Sequence, residues 1–118
     1  MHEMALAEEL LKISDEAAAS AGAEEVLRVG VGVGWLLQVE RQSLAFYLEA
    51  LRRDYPRLEH AVFELDEEAV RVRCRVCGEE TEQAGWGFAC GACGDRDVEV
   101  VAGDRLEVRD MEVRTDDV

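Results

Sequence analysis

The sequence predicts an α/β fold of the α+β kind: a small mixed sheet with two helices, and a projecting ribbon built around four cysteines. Three observations carry this reading. Two stretches place apolar residues at helical spacing, Leu6, Leu10, Ile13 and Ala17 in one and Leu44, Leu48, Leu51 and Tyr55 in the other. Between them the period changes to two, with Leu27, Val29, Val31 and Val33 opposite Gly30, Gly32 and Gly34. Further on, Cys74-Arg75-Val76-Cys77 and Cys90-Gly91-Ala92-Cys93 form two CxxC pairs.

The first helix is predicted over Met4–Ala21. Glu8, Glu9, Lys12, Asp15 and Glu16 mostly take its polar side, Glu8 and Lys12 are a favourable i,i+4 pair, and Gly22 stands where a C-terminal cap belongs. A strand follows from Val26 to about Leu37, and its glycine face predicts close packing by a helix. The glycines do not make a dinucleotide loop, because Trp35 stands where GxGxxG needs its third glycine. The second helix begins between Glu40 and Ser43 and stops near Asp54, just before Pro56. Next come a strand over Leu58–Leu65, an acidic turn at Asp66-Glu67-Glu68 and a strand from Val70 into Cys74. Two closing strands, Val98–Val101 and Leu106–Val113, flank Ala102-Gly103-Asp104. This order divides the chain into an α/β domain of residues 1–69 and 104–118 and a ribbon domain of residues 70–103.

Tetrahedral Zn(II) wants four soft donors, and Cys74, Cys77, Cys90 and Cys93 supply four thiolates with little chain to order. Gly78 and Gly94 each follow the second cysteine of a pair, where the backbone bends around the metal and glycine reaches positive φ at no steric cost. The doubled pattern marks a structural zinc ribbon. Disulfides and iron in the same four thiolates are the alternatives, and spacing alone does not exclude iron. No run of about 18 apolar residues exists, so no membrane span is expected. With no secretory h-region either, a cytoplasmic location is expected, where thiols stay reduced and disulfides are disfavoured.

The 27 acidic residues outnumber 13 basic ones, for a net charge of −14. The stretch from Cys74 to Glu99 shares this bias, with Glu79, Glu80, Glu82, Asp95, Asp97 and Glu99 against Arg75 and Arg96. Such a surface repels phosphate, so no nucleic-acid partner is expected although zinc ribbons often bind one. No catalytic set emerges. The only histidines are His2 and His60, and Met1-His2-Glu3 does not begin an HExxH motif, because position 6 is Leu6. His60 reads as an ordinary half-buried or surface residue within its strand. The protein is therefore expected not to be an enzyme.

The first residues offer different chemistry. A free α-amine followed by histidine can present an amine, backbone amides and an imidazole to one ion, a nitrogen set suited to square-planar or tetragonal nickel(II). The bulk of His2 protects Met1 from methionine aminopeptidase, so that amine stays the methionine's. Taken by themselves these residues describe a frayed, solvated chain end more often than a metal site.

The opening Met1-His2-Glu3-Met4-Ala5-Leu6, the strand Arg28-Val29-Gly30-Val31-Gly32, the helix residues Ser43-Leu44-Ala45-Phe46, the two CxxC pairs and Gly103-Asp104-Arg105-Leu106-Glu107-Val108 together resemble the HypA family. Nearly the whole chain matches in order. It departs at Gly91, where the family commonly has proline, and at Arg105, where an acid is common; neither is a metal donor. The resemblance implies a nickel-insertion chaperone of hydrogenase maturation, with Ni(II) as transferred cargo and Zn(II) as a structural ion. It implies nickel ligands at the Met1 amine, the His2 imidazole and the amides of His2 and Glu3, and zinc ligands at Cys74, Cys77, Cys90 and Cys93. Glu40 occupies the place of an acid that can lie near the nickel, although stabilising the helix dipole is the commoner role for an acid at a helix start. Implied partners are a HypB-type GTPase and the large, active-site subunit of nickel–iron hydrogenase, with urease as a client of some members; monomer and homodimer are both compatible. The rivals are a zinc-ribbon adaptor between proteins, with no nickel role, and a rubredoxin-like electron carrier, which needs neither the helices nor the α/β portion.

Overall fold

The computed structural model describes residues 2–115. They form two units, residues 2–31, 39–66 and 107–115 in the first and residues 32–38 and 67–106 in the second.

In the first unit, α1 (Glu3–Ser20) is rich in Ala, Leu and Glu, which lose little on entering a helix. It ends where expected: Gly22 takes φ +72° and donates its N–H to the Ala19 carbonyl. Its buried face differs from the expected stripe. Glu3, Ala7, Leu10, Leu11, Ser14 and Ala18 are buried, while Ile13 is 43% exposed and Ala17 is exposed. Three of these six, Ala7, Ser14 and Ala18, are small. The large aliphatic side chains alone therefore mark a face about one residue out of phase. Leu10 and Leu11 still contribute about 1.5–3 kcal/mol each by leaving water.

The strand β1 (Ala23–Gly34) buries Val29, Val31 and Val33 in the expected alternation. Leu27 is 42% exposed and Val26 is fully buried instead. The strand stops at Gly34, before a 3-10 turn over Trp35–Leu37 that ends on Gln38 in the left-handed region at φ +52°. At Gly30 and Gly34 the glycine face does not meet a helix. A Cβ on Gly30 would lie 2.6 Å from Asp110 Oδ1, so its missing side chain makes room for an ion pair. A Cβ on Gly34 would lie 2.6 Å from the backbone of Gly103.

The second helix, α2 (Arg41–Leu51), packs against α1 and buries Leu44 and Leu48. Two 3-10 turns follow, Arg52–Asp54 and Pro56–Leu58, so the strand expected over Leu58–Leu65 begins only at Val62. Leu58 is buried at the end of the turn that Pro56 starts. His60 lies in a turn, not a strand, with its side chain 72% exposed and Nδ1 3.9 Å from the Glu25 carboxylate. The acidic run is not a turn either, because β2 (Val62–Glu68) continues through it. As an outer strand of the order β2-β1-β6, β2 has an edge on which charges are well placed. The other outer strand is β6 (Leu106–Thr115). Arg28 on the middle strand donates to Glu64 of β2 at 2.7 Å and to Asp110 and Glu112 of β6 at 2.7 and 3.1 Å. Those three carboxylates raise its already high pKa, Glu112 most of all.

The second unit contains another three-stranded sheet, ordered β4-β3-β5 and antiparallel throughout, from β3 (Val70–Cys74), β4 (Glu80–Gln83) and β5 (Val98–Ala102). Val70, Val72 and Cys74 are buried, alternating with exposed Arg71 and Arg73. Arg73 faces Glu80 on one neighbour and Glu99 on the other, and bonds the Glu80 carboxylate at 2.7 Å. Gly103 takes φ +85°, and a Cβ there would lie 2.5 Å from the Ala69 carbonyl oxygen. The turn has room for glycine alone.

Candidate metal centre

The end of β3 delivers Cys74 to a tight knuckle. Gly78 N–H bonds the Cys74 carbonyl at 3.0 Å, and Cys74 N–H bonds the Glu79 carbonyl at 2.9 Å. Inside it, the amides of Val76 and Cys77 point at Cys74 Sγ, at 3.3 and 3.4 Å. Residues 90–95 repeat the design. Gly94 N–H bonds the Cys90 carbonyl at 2.9 Å, Cys90 N–H bonds the Asp95 carbonyl at 2.8 Å, and the amides of Ala92 and Cys93 point at Cys90 Sγ, at 3.3 and 3.4 Å. Gly78 and Gly94 both sit at φ +80°, the conformation expected of them.

The two knuckles bring the four sulfurs within 4.8 Å of one another. Cys74 and Cys93 stand 3.6 Å apart and Cys77 and Cys90 3.5 Å apart. Tetrahedral zinc with bonds of about 2.3 Å places its sulfurs about 3.8 Å apart, so the donor set fits with little movement. A disulfide needs about 2 Å, and all four cysteines are free. Cys74 and Cys90 are buried while Cys77 and Cys93 are exposed. The Cys93 and Ala92 amides hold the Cys90 thiol down at about 6. At Cys93 the Asp95 amide pulls the other way, but the Cys74 sulfur and burial push the thiol up to about 12. One sulfur is thus prepared to be a thiolate, and a cation is required to hold all four in that form.

Two polar contacts close the ribbon that the sequence did not signal. The Gln83 side chain donates to the Ala89 carbonyl at 2.8 Å and accepts the Ala89 N–H at 3.2 Å. Thr81 Oγ1 accepts the Gly91 N–H at 3.0 Å. Both side chains come from β4, whose polar residues carry no hydrophobic alternation to reveal a strand.

The other expected donors lie in the first unit. Met1 falls outside the described residues. His2 is the residue before α1, with its side chain 54% exposed and Nε2 3.9 Å from a Glu3 carboxylate oxygen. Glu3 is buried at 7% exposure and accepts the Glu40 N–H at 3.1 Å, and this bond with its own amide holds its carboxyl below the usual range. Glu40 in turn caps α2: its carboxylate accepts the N–H groups of Gln42 and Ser43 and the Ser43 hydroxyl. His2, Glu3 and Glu40 are therefore gathered where the two helices begin. The Glu40 carboxylate bonds α2, and the Glu3 carboxylate bonds backbone.

Fold and cysteines together define a small metal-binding protein of two units, one of them a four-thiol ribbon. Comparison with known proteins makes this specific. Residues 1–113 match the family described as hydrogenase/urease nickel incorporation, metallochaperone, HypA. The hydrogenase maturation factor HypA of Rhizobium leguminosarum bv. viciae is 37% identical over 113 residues, covering 96% of this chain and 99% of that protein. That of Azotobacter chroococcum mcd 1 is 35% identical over the same shares. The solution structure of the Ni metallochaperone HypA from Helicobacter pylori superposes with a TM-score of 0.79, covering 98% of this chain and all of that one; at 20% identity it shows the shared fold. The chain belongs to the HypA family of nickel-incorporation metallochaperones, as the motifs had implied. The family is one of metallochaperones, not catalytic enzymes. No helix among the described residues is long and apolar enough to cross a membrane.

Proposed function

We propose that this protein binds Ni(II) at its free N-terminus and delivers it to the large subunit of a nickel–iron hydrogenase, with a HypB-type GTPase as partner. The ligands are the Met1 amine, the amides of His2 and Glu3 and the His2 imidazole. Adjacent in sequence, they close small chelate rings without help from distant side chains. The observation that carries this reading is the setting of His2: an exposed imidazole immediately before α1, where the first amides of a helix have no intrahelical carbonyl to bond. Taking an amide nitrogen as ligand there breaks no helix hydrogen bond. An exposed site also suits cargo that must leave again. Glu40 supports the site through the helix start rather than as a ligand.

The ribbon, residues 70–103 of the sequence division, holds Zn(II) in Cys74, Cys77, Cys90 and Cys93 as a structural ion. When bound, zinc supplies charge that keeps the thiolates together, and no chemistry is needed of it. Residues 1–69 and 104–118 make the nickel-binding domain.

A nickel titration of protein with its native first residue tests the terminal site. Adding Gly-Ser before Met1 turns the amine into an amide and leaves every side chain in place; His2→Ala keeps the amine and removes the imidazole. Each change is expected to abolish tight nickel binding and to leave zinc content and helicity intact. Full nickel binding by the extended protein would sink the terminal site and favour an adaptor that carries only zinc.

A further inference from the structure

We infer that the second unit carries a docking site for an arginine-bearing segment of a partner protein, centred on Trp86. Trp86 is 66% exposed, in a ribbon whose three short strands leave few large side chains to bury. It is not a loose side chain. Its ring lies 4.7 Å from Trp35, tilted at 52°, and 6.2 Å from Phe88, stacked at 24°. Gln83 bonds both backbone groups of Ala89 and so closes the base of the loop on which Trp86 and Phe88 stand. Gly87 at φ +79° provides the turn between these two rings. Three aromatic rings are held as a platform before any ligand arrives, which lowers the ordering cost of binding.

Charge decides the occupant. Within residues 32–38 and 67–106, nine acids (Glu67, Glu68, Glu79, Glu80, Glu82, Asp95, Asp97, Glu99, Asp104) face five arginines (71, 73, 75, 96, 105), which leaves −4 before the thiolates are counted. Arg73 and Arg75 are moreover held by Glu80 and Asp97. An exposed indole prefers a cation on its face, and a planar guanidinium stacks on it while an ammonium does not. An acidic field draws the same cation in. Phosphate ligands and nucleic acids are repelled by that field, although they too stack on aromatic rings.

The test uses the full zinc-loaded chain and a defined probe, an N-acetylated, C-amidated heptapeptide of arginine, with heptalysine and heptacitrulline controls. Binding is followed by the indole N–H resonances of Trp35 and Trp86. Heptaarginine is expected to shift both saturably and heptalysine to bind several-fold more weakly. Heptacitrulline should not bind. Trp86→Ala is expected to weaken heptaarginine about five- to tenfold, the scale of one partly desolvated cation–π contact, and Trp86→Phe about twofold. Zinc content and the amide spectrum of the knuckles verify that each variant is folded. Equal binding of arginine and lysine peptides, or undiminished binding by folded Trp86→Ala, would show only a diffuse acidic surface and overturn the proposal. So would self-association through Trp86, which would make a second copy the occupant.

Discussion

Replacing Glu40 with alanine separates a helix cap from a metal ligand. Its carboxylate accepts the Gln42 N–H at 3.2 Å, the Ser43 N–H at 3.0 Å and the Ser43 hydroxyl at 3.1 Å. The first amides of α2 have no carbonyl to bond, so one side chain satisfies two of them and places a negative charge at the positive end of the helix. Losing an N-cap costs about 0.5–2 kcal/mol, and because Glu40 is exposed the charge adds only a few tenths. Glu40→Ala is therefore expected to destabilise the first unit by roughly 1–2 kcal/mol, seen as a lower urea midpoint in far-ultraviolet dichroism or a Tm drop of about 5–10 °C. Glu40→Gln keeps an oxygen acceptor and should recover about half of that loss. Nickel affinity, measured on protein with its native first residue, should fall by no more than about threefold, because only the fraying of a neighbouring helix start is transmitted. Unchanged stability together with nickel loss as complete as that of His2→Ala would refute the cap and make Glu40 a ligand.

Three further outcomes follow from the ribbon. Cys74→Ala or Cys90→Ala should lose the metal and unfold residues 70–103, while the amide spectrum of α1, α2 and β1 persists, because those elements bury their own apolar faces. Protons compete with zinc for the four sulfurs, of which the Cys90 thiol sits lowest, so the stability that the ion gives the ribbon is present at neutral pH and is lost as pH falls toward about 6 and below. The ribbon should then loosen on acidification, followed by thiolate absorbance; a ribbon that tightens as pH falls through 6 contradicts this sign. Gly91→Pro should cost about 1–2 kcal/mol, because it removes the N–H that Thr81 accepts and sets ring atoms where a Cβ already lies 3.2 Å from Thr81. Thr81→Ala in the same chain should recover part of that loss in a double-mutant cycle, and full additivity would show that the pair is not coupled.

Signals that are local in the chain were legible. A CxxC pair closes its own knuckle within a few residues, so the four sulfurs and the positive φ of Gly78 and Gly94 could be read without the rest of the fold. The helix cap at Gly22 and the end of α2 before Pro56 are equally local. Contacts made by tertiary packing were hidden. The face of α1 depends on which small residues its neighbours admit, and Ala7, Ser14 and Ala18 look unremarkable beside Ile13. The glycine face of β1 signals room for a close neighbour, but which atoms fill it at Gly30 and Gly34 is decided by β6 and the turn at Gly103, both distant in sequence. β4 was missed because its strand-forming residues are Glu, Thr and Gln, held by pairing with β3 and not by burial. Pairs such as Arg28 with Asp110 or Trp35 with Trp86 have no local signature at all.

The two expected metal positions differ in how much protein stands behind them, and that difference separates a resident ion from cargo. At the ribbon, backbone amides are already aimed at Cys74 Sγ and Cys90 Sγ, glycines fix both turns, and Thr81 and Gln83 tie the second knuckle to β4. An ion bound there is held by groups that cannot follow it away, so release requires both knuckles to open and expose Cys74 and Cys90. Near the start of the chain, His2 has an exposed ring, no side-chain bond to cap α1, and a Glu3 carboxylate oxygen 3.9 Å from its Nε2. One residue later the buried Glu3 carboxylate holds the Glu40 amide. A ligand set that starts at Met1 and ends at Glu3 would therefore be anchored at one end only. Such a set can be peeled off one donor at a time, from the free end inward, as an acceptor's ligands replace it. A rigid cage permits no stepwise exchange of this kind, a contrast that suits the terminus to delivery and the cysteines to architecture.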